Sequence, residues 1–179
     1  RKIHRNEILD ILWEGMDYER ALMNFNTCNY QLKKHLRDYV RIHYEKGYYG
    51  VKLNGIKCDV DVFYEELSNN QTITGYNVGK MIDILELYNG TYFENIEGIW
   101  FQDERYEVER LYFEQMINIA DYFFRNGKYA YSIKHSRKII AKDKTNEQAW
   151  KILLYSLKAS GDKETYKDEY ARMKKMMQF

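Results

Sequence analysis

Apolar residues recur at helical spacing through the start of the chain and then give way to alternation. Ile8, Leu9, Leu12 and Trp13 form one apolar face. Leu22, Phe25, Leu32 and Leu36 form a second, longer seam, as positions three, four and seven apart do on a helix. Asn6 is a cap for the first helix, with Glu7 in its first turn, and Gly15 marks its end. Asp17 caps the next helix, expected from Tyr18 to Asp38. Thr27, Tyr30, Gln31 and Lys34 fall opposite its seam. Two strands follow, near Tyr39–Tyr44 and Tyr48–Leu53, with Lys46-Gly47 at their turn and Asn54-Gly55 closing the second. The order is helix, helix, hairpin.

Beyond the hairpin, Cys58-Asp59-Val60-Asp61-Val62-Phe63 reads as a linking segment that becomes helical by Glu65. Ser68 to Thr74 is polar and reads as a loop. A helix from about Val78 to Tyr88 is broken by Asn89-Gly90, and a long helix starts near Trp100 and ends at Asn126-Gly127. The last third repeats itself. Gly127 and Gly161 lie 34 residues apart, the tetratricopeptide period. Met116, Ile119 and Phe123 in the first copy take the places of Trp150, Leu153 and Leu157 in the second. Such helix pairs bury their faces only by stacking on neighbours. Trp100 and Trp150 are expected in the core.

Composition supports a folded, mostly helical chain. Of 179 residues 45% are hydrophobic, proline is absent and tyrosine numbers 18, which argues for a folded core and against disorder. The net charge of +1 points to no partner by itself, but its distribution is uneven. Residues 1–58 carry 11 Lys and Arg against 7 Asp and Glu, residues 59–100 carry 1 against 8, and residues 101–179 carry 16 against 12. An acidic middle separates two mildly basic ends, and the basic start suits a polyanion partner. No apolar run is long enough to span a membrane, and no signal peptide is visible. Cys28 and Cys58 suggest neither a disulfide framework nor a metal site, which fits the cytoplasm. The chain starts at Arg1 and not at Met, so it is expected to be a piece of a longer protein.

Candidate reaction chemistry is sparse. His4, His35 and His43 with the two cysteines match no metal-ligand spacing, so surface or core roles are expected for them. Asp59 and Asp61 have no adjacent nucleophile, and their expected role is capping the linking helix. Gly47-Tyr48-Tyr49-Gly50 is a turn and not a phosphate loop. No enzyme activity, cofactor or metal is expected.

The stretch Glu7–Phe63 resembles the winged-helix output domain of OmpR-type regulators, in the version found in the Streptomyces antibiotic regulatory protein family and related response regulators. Ile8-Leu9-Asp10-Ile11-Leu12-Trp13, Glu19-Arg20-Ala21, Thr27-Cys28, Leu32-Lys33-Lys34-His35-Leu36, Gly47-Tyr48-Tyr49 and Cys58–Phe63 carry the match. Residues 88–179 resemble the bacterial transcriptional activator domain that follows it in that family, through Tyr88–Glu94, Trp100, Arg105, Gly127, Glu147-Gln148-Ala149 and Gly161. The resemblance implies a mostly α protein: a partial winged helix-turn-helix over 1–63, lacking the small sheet and first helix that precede it in the family, then a tetratricopeptide-like helical repeat domain over 64–179. It implies a DNA-binding transcriptional regulator, the output region of a two-component response regulator. The implied partners are double-stranded DNA, RNA polymerase or another protein through the helical repeats, and a second copy as a homodimer. Two positions depart from the family's pattern: Asn29 stands on the apolar seam, and Lys33 stands where arginine is common.

By matching positions, Asn24, Thr27, Tyr30 and Gln31 face the DNA groove, while Lys33, Lys34 and Arg37 approach phosphates, and Lys46 and Tyr48 place the wing. The chemistry suits these roles. Gln31 can pair bidentately with adenine, the Thr27 methyl can meet a thymine methyl, and lysines make binding salt-dependent. The residue pattern alone also fits a solvated helix face, and hence a protein-interaction scaffold of stacked helices without DNA binding.

Overall fold

The computed structural model describes residues 2–70, 72–96 and 98–177, so Gln71 of the expected polar loop lies outside the described residues. The chain is mostly α, with eight helices and one three-stranded sheet among those residues. It divides into two compact units, 1–58 and 59–179, where the sequence reading set its boundary after Phe63.

The first unit runs β1 (Lys2–His4), α1 (Arg5–Leu12), α2 (Tyr18–Leu36), β2 (Val40–Glu45), β3 (Tyr48–Leu53). The sheet order is β1-β3-β2 and both pairings are antiparallel. Lys46 and Gly47 both have positive φ, +49° and +89°, as a two-residue hairpin turn that matches strand twist requires. The two hairpin strands form as expected. β1 is not foreseen by the pattern, because three residues carry too little periodicity. The cap of α1 also differs. His4 and not Asn6 holds that place, its ring accepting a hydrogen bond from the Asn6 backbone N–H at 3.3 Å. Asp17 caps α2 as expected, accepting from the N–H groups of Glu19 and Arg20.

The core of this unit is thin. Leu9, Ala21 and Phe25 are its buried hydrophobic residues, with Ile8, Trp13, Leu22 and Tyr49 packed around them. The α2 seam is covered unevenly: Phe25 is 7% exposed, Leu22 and Leu36 are half-buried, and Leu32 is 49% exposed.

The second unit runs α3 (Asp59–Asn69), α4 (Val78–Leu85), α5 (Gln102–Arg125), α6 (Tyr129–Lys142), α7 (Glu147–Ser160), α8 (Lys163–Met177). The linking segment is thus helical from Asp59, six residues earlier than Glu65. Helices α5 to α8 pack each on the next; short connections make such neighbours antiparallel. Gly127 and Gly161 end α5 and α7 with φ of +69° and +82°, the left-handed geometry a helix stop favours. The matched positions are all core: Met116, Ile119, Phe123, Trp150, Leu153 and Leu157 are buried.

Trp100 departs from expectation. It is 48% exposed, and the adjacent Phe101 is buried at 2% in its place. The helix begins at Gln102, so Trp100 precedes its first turn, and helical periodicity does not govern where its ring points. Arg105 secures the preceding loop. Its guanidinium donates to the Tyr92 carbonyl at 2.7 Å and to the Phe93 carbonyl at 2.5 Å, holding Phe93 at a positive φ of +52°.

Polar groups are embedded where α5, α6 and α7 meet. Ser132 Oγ donates to the Ala120 carbonyl at 2.8 Å, and Ser156 Oγ donates to Ser132 Oγ at 2.9 Å. Both side chains are fully buried. His135 is buried beside them in sequence and stacks on Phe123, ring centroids 5.5 Å apart. Burial, then the charges of Lys138 and Lys134, depress its pKa from 6.5 to about 4. The unfolded chain therefore takes up a proton more readily than the folded one. The stability held by neutral His135 is intact above the unfolded value and declines as pH falls toward the folded one, by on the order of 3 kcal/mol across that window. Urea unfolding followed from about pH 7 to about pH 4 should show this slope, and His135→Phe should flatten it.

Candidate nucleic-acid interface

Helical geometry sorts the expected DNA-facing residues of α2 into three groups. Asn24, Thr27, Gln31 and Lys34 follow one stripe by their spacing, with Tyr30 and Arg37 on its outer edge. Lys33 points about 100° away from Lys34, toward the flank that adjoins the apolar seam. Thr27, Tyr30, Gln31, Lys33, Lys34 and Arg37 are all exposed, Tyr30 by 65%, and Asn24 is half-buried. Asn24 is tied back, its amide donating to Met16 Sδ at 3.4 Å. The Thr27 hydroxyl donates to the Met23 carbonyl at 3.0 Å, which leaves its methyl as the outward group.

The ion pairs of this unit among the described residues are Lys2–Glu45 at 2.9 Å and Arg37–Asp38 at 3.7 Å. Lys33, Lys34 and Lys46 belong to neither. Lys2 holds the Glu45 carboxyl below the usual carboxylate range through a hydrogen bond and its charge, so the acid beside Lys46 is engaged elsewhere. Lys46 and Tyr48 are both exposed at the hairpin tip, where the Gly47 carbonyl accepts from the Arg5 backbone N–H at 2.9 Å.

The strand register reveals residues that the motif reading missed. Arg41 lies directly opposite Lys52, His43 opposite Gly50 and Glu45 opposite Tyr48. Period two places these six on one sheet face, with Ile42, Tyr44, Tyr49 and Val51 on the other. Like charges directly opposite each other destabilise a sheet. Arg41 and Lys52 thus place two exposed cations side by side on one face of the hairpin. The alternation was readable in the sequence, since Arg41, His43 and Glu45 interleave with Val40, Ile42 and Tyr44. Gly50 has a separate reason to lack a side chain: a Cβ there would meet His43 Nε2.

Behind α2 lies an apolar cavity of about 240 Å³, lined by Ile3, Leu12, Trp13, Leu32, Ile42 and Val51 among others. Asn29 lines it too and is half-buried. The penalty of a sealed amide therefore does not fall on it in full. Cys28 is exposed and Cys58 half-buried. Among the described residues no three His, Cys, Asp or Glu side chains gather as a metal would require. His4 is occupied in the α1 cap and His43 covers Gly50. No helix among the described residues is long and apolar enough to cross a membrane.

The first unit thus carries an exposed, cation-bearing helix and hairpin, and the second is a stack of helices. The family model of the bacterial transcriptional activator domain matches residues 58–178, and the chain belongs to that family. Its function is accordingly of the transcriptional-activator type, and the family points to a regulator. No curated protein matches the chain.

Proposed function

We propose that the first unit is a winged helix that reads double-stranded DNA. In this reading α2 enters the major groove, the β2–β3 hairpin is the wing, and the second unit is a tetratricopeptide-like stack that dimerises or contacts polymerase. The observation that carries it is the α2 stripe. Thr27, Gln31 and Lys34 are exposed together on a capped helix whose opposite side is apolar. That is the geometry of a recognition helix. Arg41 and Lys52 add to the phosphate-facing charge of Lys33, Lys34, Arg37 and Lys46.

The cavity behind α2 bears on domain extent. The resemblance to OmpR-type regulators implies a small sheet and a first helix before this segment. The uncovered Leu12, Leu32 and Val51 supply the apolar bed for that helix. The reading extends to the output region of a two-component response regulator acting in the cytoplasm.

Gel mobility shift with promoter duplexes at two salt concentrations tests the DNA reading. Lys34→Ala should weaken binding about equally across sequences and reduce the salt slope by about 1. If full-length protein prefers no genomic duplex over random duplex at moderate salt, the chain is a protein-interaction scaffold instead.

A further inference from the structure

The α7–α8 pair carries an apolar groove that the DNA reading does not use. It is a cavity of about 390 Å³, floored by Leu154 and Tyr155 of α7 and by Tyr166, Tyr170, Met173 and Met177 of α8. Tyr155 is 51% exposed and Tyr170 38%. The α8 residues recur at three- and four-residue spacing over about three turns, roughly 16 Å. This is the length and periodicity of a bed for another helix. Tyrosine and methionine suit such a bed, because rigid amphipathic rings anchor a partner and flexible thioethers adapt to its shape.

Charge identifies the occupant. Lys151 and Lys158 line the groove from α7. Lys174 lies over the Tyr170 ring at 5.0 Å and Lys151 over the Tyr155 ring at 5.9 Å. Lys163 and Lys167 share the flank of Lys174 by helical spacing. Among the described residues lining the groove, Glu147 is the one acid. The nearby carboxylate of Glu169 is buried and held by Arg137 at 3.0 Å and Arg172 at 3.3 Å. A second copy would set the same lysines against themselves, and a duplex would leave the apolar floor uncovered.

We propose that the α7–α8 groove docks an acidic amphipathic helix of a partner protein, its apolar stripe on the Tyr and Met floor and its carboxylates between the lysines. This deepens the protein-contact part of the reading above and is independent of the DNA part.

The probe is a fluorescein-labelled peptide of about four turns, with Leu and Phe at positions i, i+3, i+4 and i+7 and Glu on both flanks. A control peptide carries Lys in place of Glu. Anisotropy titration of the 179-residue chain should give saturable binding of the acidic peptide only. The double variant Lys151→Glu, Lys158→Glu changes two exposed residues. It should weaken the acidic peptide by about tenfold or more and bind the lysine peptide instead, a gain that misfolding cannot produce. Its DNA affinity should be unchanged, so failure here and failure of the DNA reading are distinguishable. Absence of saturable binding, or equal binding of both peptides, overturns the proposal. So does displacement of the peptide by duplex DNA, which would make the groove a nucleic-acid surface. Conversion of a dimer to a monomer by the same variant would assign the groove to a second copy and overturn it too.

Discussion

Trp150→Ala should cost about 3–5 kcal/mol, the range for deleting a large buried aromatic. Its ring is 1% exposed within the cluster that includes Ile139, Ile140, Leu153 and Leu157. Its indole N–H donates to the Lys144 carbonyl at 2.9 Å, and Arg172 lies over the ring at 5.6 Å. Truncation therefore leaves a cavity, an unpaired carbonyl and a guanidinium without its aromatic seat. Domains of ordinary stability have about 5–15 kcal/mol in total, so the second unit should lose a large share of its urea resistance. Trp100→Ala is the control. With that ring 48% exposed, its cost should stay below about 1 kcal/mol. Equal costs for the two tryptophans would contradict the core assignment.

On the DNA reading proposed above, the triple variant Lys34→Ala, Arg37→Ala, Lys46→Ala should lower affinity for DNA by about 100-fold or more. Each charge-assisted phosphate contact contributes at least about 1 kcal/mol, and three together exceed two decades. The salt dependence is the sharper measurement. Each lost phosphate contact removes about 0.9 from the slope of log K against log salt, so the triple variant should lose nearly 3. Reduced affinity with an unchanged slope would mean these cations do not meet phosphates. None of the three side chains is buried, so the variant should remain folded, which circular dichroism can confirm.

The long, strongly periodic helices were legible in the sequence, and so were the two glycine stops at Gly127 and Gly161. There the local signal and the packing agree, since apolar stripes of this length bury their faces only one way. Legibility failed where a residue lies outside a regular element. Trp100 looked like core because it is large and apolar, but it stands just before the first turn of α5. His4 was expected in a surface or core role, whereas its ring caps α1; cap preferences favour Asn6, and the chain turned two residues earlier. β1 was too short to show a period. On the candidate interface, the motif pointed to α2 and to the hairpin tip at Lys46 and Tyr48, but not to the strands behind that tip. Arg41 and Lys52 become a pair only through strand register, and register depends on the turn at Lys46-Gly47.

The sparse interior of the first unit has a thermodynamic corollary. Three buried hydrophobic side chains over 58 residues leave little margin against chain entropy. A module with so small a core responds to mass action: anything that recognises only its ordered form raises its apparent stability. A ligand present at about a hundred times its dissociation constant adds about 2.7 kcal/mol, a large fraction of the about 3–5 kcal/mol that a small single core supplies. Occupancy and order then rise and fall together, and the amide protons of α1 and α2 become a gauge of how much of the protein is engaged.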